Sequence, residues 1–533
     1  MPNGFLVIQM NTFTKNPKKN NMKTITVVGA GTAGALAACF LKKHFPTDQI
    51  ILLHSDHIPT IGVGESVTPH VKGFLNEIGV DEKDMMLATQ SIFKYANCFK
   101  DWINEKEDVY FAFNYNEPLE KIFNNQPITK EDIVSIGPTD MRATDVWIDL
   151  FNNKKVQNYS DSFVPLYSFM NKNKAPFDSN GCYLGSENFS YAYHIDAEKL
   201  APYLIEKHAK PSGVKEIIDT ITKVNCDQQG IASVELQSGA IISSDIWIDA
   251  TGFHRTLISK LTNDYHAYTH CPANSAWVSP LKYSDADQEC KNHTQSIWHS
   301  MGWIFKIGLL NRMGCGLVYN DKYFTDAQAK EEFLKIIDKK NLKEPRLIKW
   351  EPKRFKTPAI KNVCAVGMAA GFIEPMEANA LFISVSTIFA ATMAIKNNND
   401  WTDYNEKVCY ALDDIADFIS VHYTLCSKKT NKFWQDMYDL GIELNHKQLL
   451  KEKYNSEKNT VSRSYNFLTI FPDYMWAELA SVWLDNLHNW SKNSPKDLQN
   501  KLHDYLTKKQ IWADGISNQT EEYYQFISKL HNK

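Results

Sequence analysis

From Lys23 onward the pattern of apolar and polar positions becomes regular. Residues 24–28, Thr-Ile-Thr-Val-Val, form a short β-branched run. A glycine turn follows, and apolar residues then recur at helical spacing up to Phe45. Gln49 to Ser55, Gln-Ile-Ile-Leu-Leu-His-Ser, is a second run of strand length. Strand, turn, helix and strand in this order predict one parallel βαβ unit, because parallel strands need a crossover. Residues 231–252 predict two or three strands joined by glycine turns, and 361–372 predict a buried strand running into another glycine turn. The apolar run from Ala380 to Ile395 is short for a bilayer and carries Ser384, Ser386, Thr387 and Thr392, which predicts a buried helix. Residues 400–445 read as helical and aromatic-rich, and the chain beyond about 450 as mixed helix and loop. The segments imply an α/β protein in three parts: a loose extension at 1–22, a nucleotide-binding core at 23–400 assembled from separated pieces, and a mainly helical region at 401–533.

Composition narrows the class. With 533 residues the chain exceeds one simple core, and 43% hydrophobic with 23% charged residues reads as globular. A net charge of -4, without a long basic tract, argues against nucleic acid. The 10 cysteines form no Cys-x-x-Cys pair and have no zinc spacing, so no metal site is expected. Reduced thiols and an N-terminus without an apolar signal core predict a cytoplasmic protein that is not inserted in a membrane.

The turn Gly29-Ala30-Gly31-Thr32-Ala33-Gly34 fits Gly-x-Gly-x-x-Gly directly after a strand and at the start of a helix. Gly29 allows the tight turn, Gly31 lets a diphosphate approach the backbone, and Gly34 lets helix and strand pack closely. The helix N-terminus then favours the phosphate charge. The second strand should end in an acid that bonds the ribose hydroxyls. It ends instead in His54 and Ser55, either of which could hydrogen-bond a ribose. This departure weakens an NAD reading more than an FAD reading, since FAD has a large ribityl and isoalloxazine surface.

Gly62-Val63-Gly64-Glu65-Ser66, with Pro69 three positions later, resembles a segment of the flavin-dependent halogenases, the family typified by tryptophan halogenases. The resemblance continues through Phe93-Lys94, Phe99-Lys100-Asp101-Trp102 and the partial tryptophan motif Gly302-Trp303-Ile304-Phe305-Lys306-Ile307-Gly308. In that motif Phe305 stands for the family's second Trp and Gly308 for its Pro. Gly367, Ala369, Gly371, Phe372, Glu374, Pro375 and Glu377 fall on the most specific family segment without gaps. Weaker matches lie at 193–204, 245–258 and 418–434. Read from the residues alone, Lys94 between two aromatics also fits a surface side chain with a snorkelling stem. Pro375 suits a first helical position, which would put Glu377 in a first turn where a carboxylate suits the helix dipole.

The resemblance implies a glutathione-reductase-type, Rossmann-like FAD-binding domain with an inserted mixed sheet and a helical substrate-side C-terminal region. It implies halogenation of an indole- or phenol-type substrate with reduced FAD, oxygen and halide, through hypohalous acid made on the enzyme. Lys94 would hold the electrophilic halogen beside the substrate, and Glu377 would position it or take the proton. Ser55, Val63, Gly64, Val224, Met368 and Leu381 would join Gly29 to Gly34 at the flavin. Asn379 and Ala380, where the family has Thr and Gly, would meet the halide, so bromide or iodide stands open beside chloride. Trp303, Phe305 and Phe111 would line the substrate side. A separate NAD(P)H-dependent flavin reductase would be the partner, and a homo-oligomer is left open. The family's His-Pro-Phe substrate segment is absent, 110–115 standing in its place, so free tryptophan is one substrate among several. The rival readings are an aromatic monooxygenase, disfavoured by Gly367-Met368-Ala369 where Gly-Asp-Ala is usual, and a flavin-binding protein without catalysis.

Overall fold

The computed structural model describes residues 22–55, 64–103, 108–113, 143–157, 159–164, 166–177, 191–456, 471, 473–484, 487–488, 490 and 493–532. Chain contacts divide it into two interleaved units: 1–91, 195–269 and 350–413 in the first, and 92–194, 270–349 and 414–533 in the second. This division follows different lines from the boundaries expected at residues 22 and 400, and apart from Met22 the N-terminal extension lies outside the described residues.

The first unit is built on a six-stranded sheet. Its strands are β1 (Thr24–Val28), β2 (Gln49–His54), β3 (Lys215–Ile218), β4 (Ile246–Asp249), β5 (Ala359–Ile360) and β6 (Val363–Ala365), in the order β5-β6-β4-β1-β2-β3. All neighbours are parallel except β5 and β6. The βαβ unit read from the sequence is β1, helix α1 (Thr32–His44) and β2. Ile25, Val27, Leu52 and Leu53 are each 0% exposed, as expected for a parallel sheet that is buried on both faces. The sheet reverses direction of growth at β1, with β2 on one side and β4 on the other. Such a switch point leaves a crevice at the carboxyl ends of the strands, where ligands of α/β sheets bind.

Asp249 fixes the end of β4. One of its oxygens accepts from Thr251 N and Oγ1 at 3.1 and 2.6 Å, and the other from Leu257 N and Ile258 N at 2.8 and 2.9 Å. Of the two or three strands expected at 231–252, three are present: Gly230–Leu236, Ile241–Ile242 and β4. The first two join Ile221–Asp227 in a small antiparallel sheet. Helix α2 (Asn379–Lys396) is the buried helix expected from the apolar run. It is long and apolar enough to cross a membrane by length and composition, and 78% of its apolar window is buried in the fold.

The second unit holds a seven-stranded mixed sheet in the order Arg346–Lys349, Ser275–Leu281, Met313–Tyr319, Gly302–Gly308, Thr294–His299, Ala96–Lys100 and Val109–Ala112. Only the pairing of 294–299 with 96–100 is parallel. Ile304 and Leu317 pack on Phe333 and Ile337 of the helix Asp326–Ile337. Residues 414–424 of the helix Thr402–Thr424 belong to this unit, and described helices follow at 432–443, 446–456, 473–483, 496–517 and 523–532. Phe418 stacks on Phe471 at 3.7 Å between ring centroids and Tyr423 on Trp434 at 5.8 Å.

Candidate active site

In the first unit the glycine turn is shaped by two close approaches and one opening. Gly29 has φ 101°, and a Cβ on it would sit 2.6 Å from the carbonyl oxygen of Ala250. A Cβ on Gly34 would sit 1.8 Å from the carbonyl oxygen of Gly29. Around Gly31, by contrast, nothing lies within 4 Å of a built Cβ. Gly31 caps α1 without any side-chain hydrogen bond, so the first N–H groups of the helix face this opening uncapped. Open space above Gly31 and unspent donors behind it are what a diphosphate needs, and the turn fits the cofactor.

The second glycine turn is brought to the first. Gly367 has φ 59°, and a Cβ there would meet Ser384 Oγ of α2 at 2.9 Å and Ala33 Cβ of α1 at 3.2 Å. Its N–H donates to Thr387 Oγ1 of α2 at 2.8 Å. Met368 follows, with its Cε 3.7 Å from a Cβ built on Gly252. Leu381 lies on the first turn of α2 at 4% exposure. The structure thus brings the turn Gly29 to Gly34 and the turn of Gly367 and Met368 together at the same strand ends. Gly64 is buried with φ 96°, and Ser55 Oγ accepts from Thr220 Oγ1 at 3.0 Å. Val224 pairs with Val234 in the small antiparallel sheet, and Val63 lies outside the described residues.

The end of β2 meets an acid from another strand that sequence reading did not find. Glu216 on β3 accepts from His54 Nε2 at 3.0 Å and pairs with Lys210 at 2.9 Å. It lies 162 residues away along the chain, so only the parallel pairing of β2 with β3 brings it there.

The glutamate segment differs from the expected helix start. Pro375 does not open α2: Met376–Ala378 is a short 3₁₀ turn, and α2 begins at Asn379. Glu377 and Ala378 both have left-handed backbones, φ 62° and 58°, so Glu377 is outside any regular first turn. Two successive non-glycine residues in this region are strained, a state kept where the surroundings fix it and one that clusters at functional sites. Asn379 holds the turn, donating through Nδ2 to the carbonyls of Glu374 at 2.8 Å and Met376 at 2.6 Å. Glu377 is 4% exposed, and the N–H groups of Asn379 and Ala380 stand at the uncapped start of α2.

In the second unit Lys94 ends the strand Ile92–Lys94, which pairs antiparallel with Ala192–Ile195, Lys94 opposite Ala192 and Ile92 opposite His194. Lys94 and His194 therefore share one face of the pair. Lys94 is 0% exposed, and its Nζ lies 5.0 Å from the centroid of the Phe113 ring. This is a lysine inside the protein, not a snorkelling surface residue. Phe93 points to the other face, toward Phe177 at 4.9 Å and Tyr191 at 5.1 Å. His194 Nε2 meets Thr294 Oγ1 at 2.9 Å. Burial, then the charges of Lys94 and His293, holds His194 well below the usual imidazole range, so the ring beside the lysine stays neutral. Phe113, His194 and Thr294 escaped the sequence reading because each is ordinary in its local stretch.

Trp303 and Phe305 share one face of the strand Gly302–Gly308, with centroids 6.2 Å apart and 1% and 5% exposure. A Cβ on Gly316, opposite Phe305, would lie 2.4 Å from its ring. A Cβ on Gly308 would touch Ile92 Cδ1 at 3.4 Å, so the glycine standing for the family's proline lies beside the lysine strand. Replacing Gly316 by Ala is expected to displace Phe305, read as a changed product ratio on bulky against small arenes with unchanged flavin binding. Phe111 sits among Phe99, Phe418 and His422 at 5.3, 6.4 and 5.8 Å, on the strand Val109–Ala112.

Buried histidines also set a pH response. Burial holds His70 and His446 down to about 4 and His293 down to about 3, with nearby cations or histidines adding to the shift of the latter two. As pH falls below about 6.5 the unfolded chain takes up protons that these rings refuse, so stability is lost from there downward. Each ring removes about 1.4 kcal/mol per pH unit in that window. Glu65, raised to about 7 by burial, opposes one of them. Urea midpoints at pH 7.5 and 5.0 check this, and a midpoint that does not fall at pH 5.0 refutes it.

A parallel nucleotide-binding sheet with two glycine turns, joined in one chain to a unit with a mixed sheet and a lysine buried on a separate short strand pair, defines a flavoenzyme-type fold. The tryptophan halogenase family model matches residues 24–483, and the chain belongs to that family, whose members are flavin-dependent halogenases. It is 26% identical over 438 residues to tryptophan 6-halogenase ThaL of Streptomyces albogriseolus, covering 79% of this chain and 80% of that one. To tryptophan 7-halogenase RebH of Lentzea aerocolonigenes it is 25% identical over 450 residues, covering 79% and 82%. The fold is shared with a tryptophan halogenase from Shewanella frigidimarina, TM-score 0.82 at 21% identity over 96% of this chain and 98% of that one. It is shared also with tryptophan 6-halogenase SttH of Streptomyces toxytricini, TM-score 0.81 at 22% identity over 95% and 99%.

Proposed function

We infer that this chain halogenates an electron-rich aromatic carbon, using reduced FAD, molecular oxygen and a halide. The observation that carries the reading is Lys94, fully buried and flanked by neutral His194 and Phe113, in a chain of this family. Reduced FAD would supply the two electrons with which oxygen and halide give hypohalous acid and water, leaving oxidised FAD. The backbone of Gly29 to Gly34 would hold the diphosphate, and Met368 and Leu381 would lie against the ring system. The N–H groups of Asn379 and Ala380 hold the halide, as the start of an uncapped helix favours an anion.

Lys94, as the neutral amine, would exchange a proton at Nζ for the halogen of hypohalous acid, whose oxygen leaves as water. The arene's π electrons attack that halogen, the nitrogen–halogen bond breaks to return the amine as the carbon–halogen bond forms, and Glu377 takes the ring proton. The left-handed backbone at Glu377 supports this assignment, since it aims a carboxylate in a way a regular helix turn does not. Trp303 and Phe305 form an apolar wall on the substrate side. The substrate is an indole or a phenol, because the departures at 110–115 set this chain apart from the segment that fits free tryptophan. A separate NAD(P)H-dependent flavin reductase supplies the reduced cofactor. A reducing cytoplasmic setting agrees with the described cysteines, all of which are free.

The test combines the protein with FAD, a flavin reductase, NADH, oxygen and bromide, over a panel of indoles and phenols, with products read by mass spectrometry. Brominated product that survives catalase is the expected result, and hydroxylated product in its place would overturn the reading. Glu377→Gln is expected to lower product formation on the order of 10²-fold while flavin reoxidation continues.

A further inference from the structure

One buried cation in the first unit makes no ion pair with a described residue, although the charges of Glu351 and Asp249 act on it from a distance. Arg255 lies just beyond β4, is 8% exposed, and has a left-handed backbone, φ 48°. Its guanidinium makes no hydrogen bond and no ion pair with any described residue, and its Nε is buried with no acceptor. What surrounds it is aromatic: Cζ lies 5.6 Å from the Tyr265 ring and 5.8 Å from the Phe355 ring, themselves 4.4 Å apart. The nearest carboxylates are engaged elsewhere. Asp249 accepts from Thr251, Leu257 and Ile258, and Glu351 pairs with Lys353. A guanidinium stays charged even when buried, and a buried charge without a partner is costly enough that folds supply one.

The location says what the partner is. Residues 250–252 lie against the two flavin turns: a Cβ on Gly29 would meet Ala250 O at 2.6 Å and Thr251 N at 3.3 Å, and one on Gly252 would meet Met368 Cε at 3.7 Å. Two aromatic rings are its neighbours, and no described residue accepts a hydrogen bond from the guanidinium, so its N–H groups remain as donors. Their planar edge matches an oxyanion with two oxygens better than a spherical halide. We propose that Arg255 is an anion-binding residue that receives a phosphate oxygen at the carboxyl end of β4, supplied by the cofactor's diphosphate. This rests on the reading that the first unit holds FAD. The same chemistry would take a free phosphate, and the test separates the two.

Flavin-free wild type, Arg255→Gln and Arg255→Met are titrated with FAD, ADP, riboflavin and inorganic phosphate, following flavin fluorescence and thermal midpoints. Arg255→Gln is expected to weaken FAD and ADP about 10-fold or more, a charge-assisted bond having been lost, and to leave riboflavin unchanged. The flavin-free midpoint of Arg255→Met is expected to rise, because the unpaired charge is gone. Protection by inorganic phosphate that disappears in Arg255→Gln, with FAD affinity intact, supports the oxyanion site and assigns it to free phosphate. If wild type binds no FAD yet phosphate still protects through Arg255, the cofactor reading falls and the oxyanion site stands. Equal affinities for all four probes, with a lowered flavin-free midpoint, make Arg255 structural and overturn the proposal.

Discussion

Replacing Lys94 by methionine is expected to abolish the halogenated product while oxygen still reoxidises the reduced flavin. Methionine keeps most of the volume of a side chain that is 0% exposed, so the strand pair with Ala192–Ile195 keeps its packing. What it removes is the amine proposed to carry the halogen. His194 on the same face has its Nε2 engaged by Thr294 Oγ1 at 2.9 Å, so it is not a ready substitute. The loss is expected to be on the order of 10²–10³-fold or more, the scale for removing a group that acts on the reacting atoms. The checks are mass-spectrometric yield with bromide and an indole, alongside NADH consumption and bound flavin. Wild-type yield from Lys94→Met would remove Lys94 from the chemistry. Lost flavin binding would make it a folding residue.

The glycine turn separates folding from binding. Gly34→Ala places a methyl group 1.8 Å from the carbonyl oxygen of Gly29, a backbone atom that cannot swing away. The clash has to open the contact between α1 and β1 at the centre of the sheet. Its cost is expected to reach several kcal/mol, a large fraction of a domain's typical 5–15 kcal/mol, so little soluble folded protein is recovered (about that range). Gly31→Ala meets nothing within 4 Å, and its backbone, φ -66° and ψ -178°, is open to any residue. That variant is expected to fold with a thermal midpoint near wild type and to lose FAD affinity about 10-fold or more, since its methyl group occupies the phosphate's approach. Thermal midpoints with flavin fluorescence titration distinguish the two. A stable, flavin-tight Gly31→Ala protein would place the diphosphate elsewhere.

The sequence by itself determined the local pieces whose cause is local. β1, α1 and β2 follow from an apolar run, a glycine turn and a helical period, and α2 from an apolar stretch with scattered hydroxyls. The family was legible because its motifs are short contiguous strings, which hold their residue types where chemistry or close backbone approach demands them. Tertiary structure decided what depends on distant residues. Glu216 comes beside His54 only through β2–β3 pairing, and His194 shares a face with Lys94 only through the register of two strands about 100 residues apart. The start of α2 also went against local propensity: Pro375 and an acid read as a helix opening, but the carbonyls of Glu374 and Met376 are drawn to Asn379 and turn Glu377 left-handed. Arg255 is an ordinary basic residue in the sequence, and only packing against Tyr265 and Phe355 makes it a buried cation. Spacing along a chain fixes which residues share a turn or a strand, whereas burial and counter-charge are set by neighbours that only the folded chain supplies.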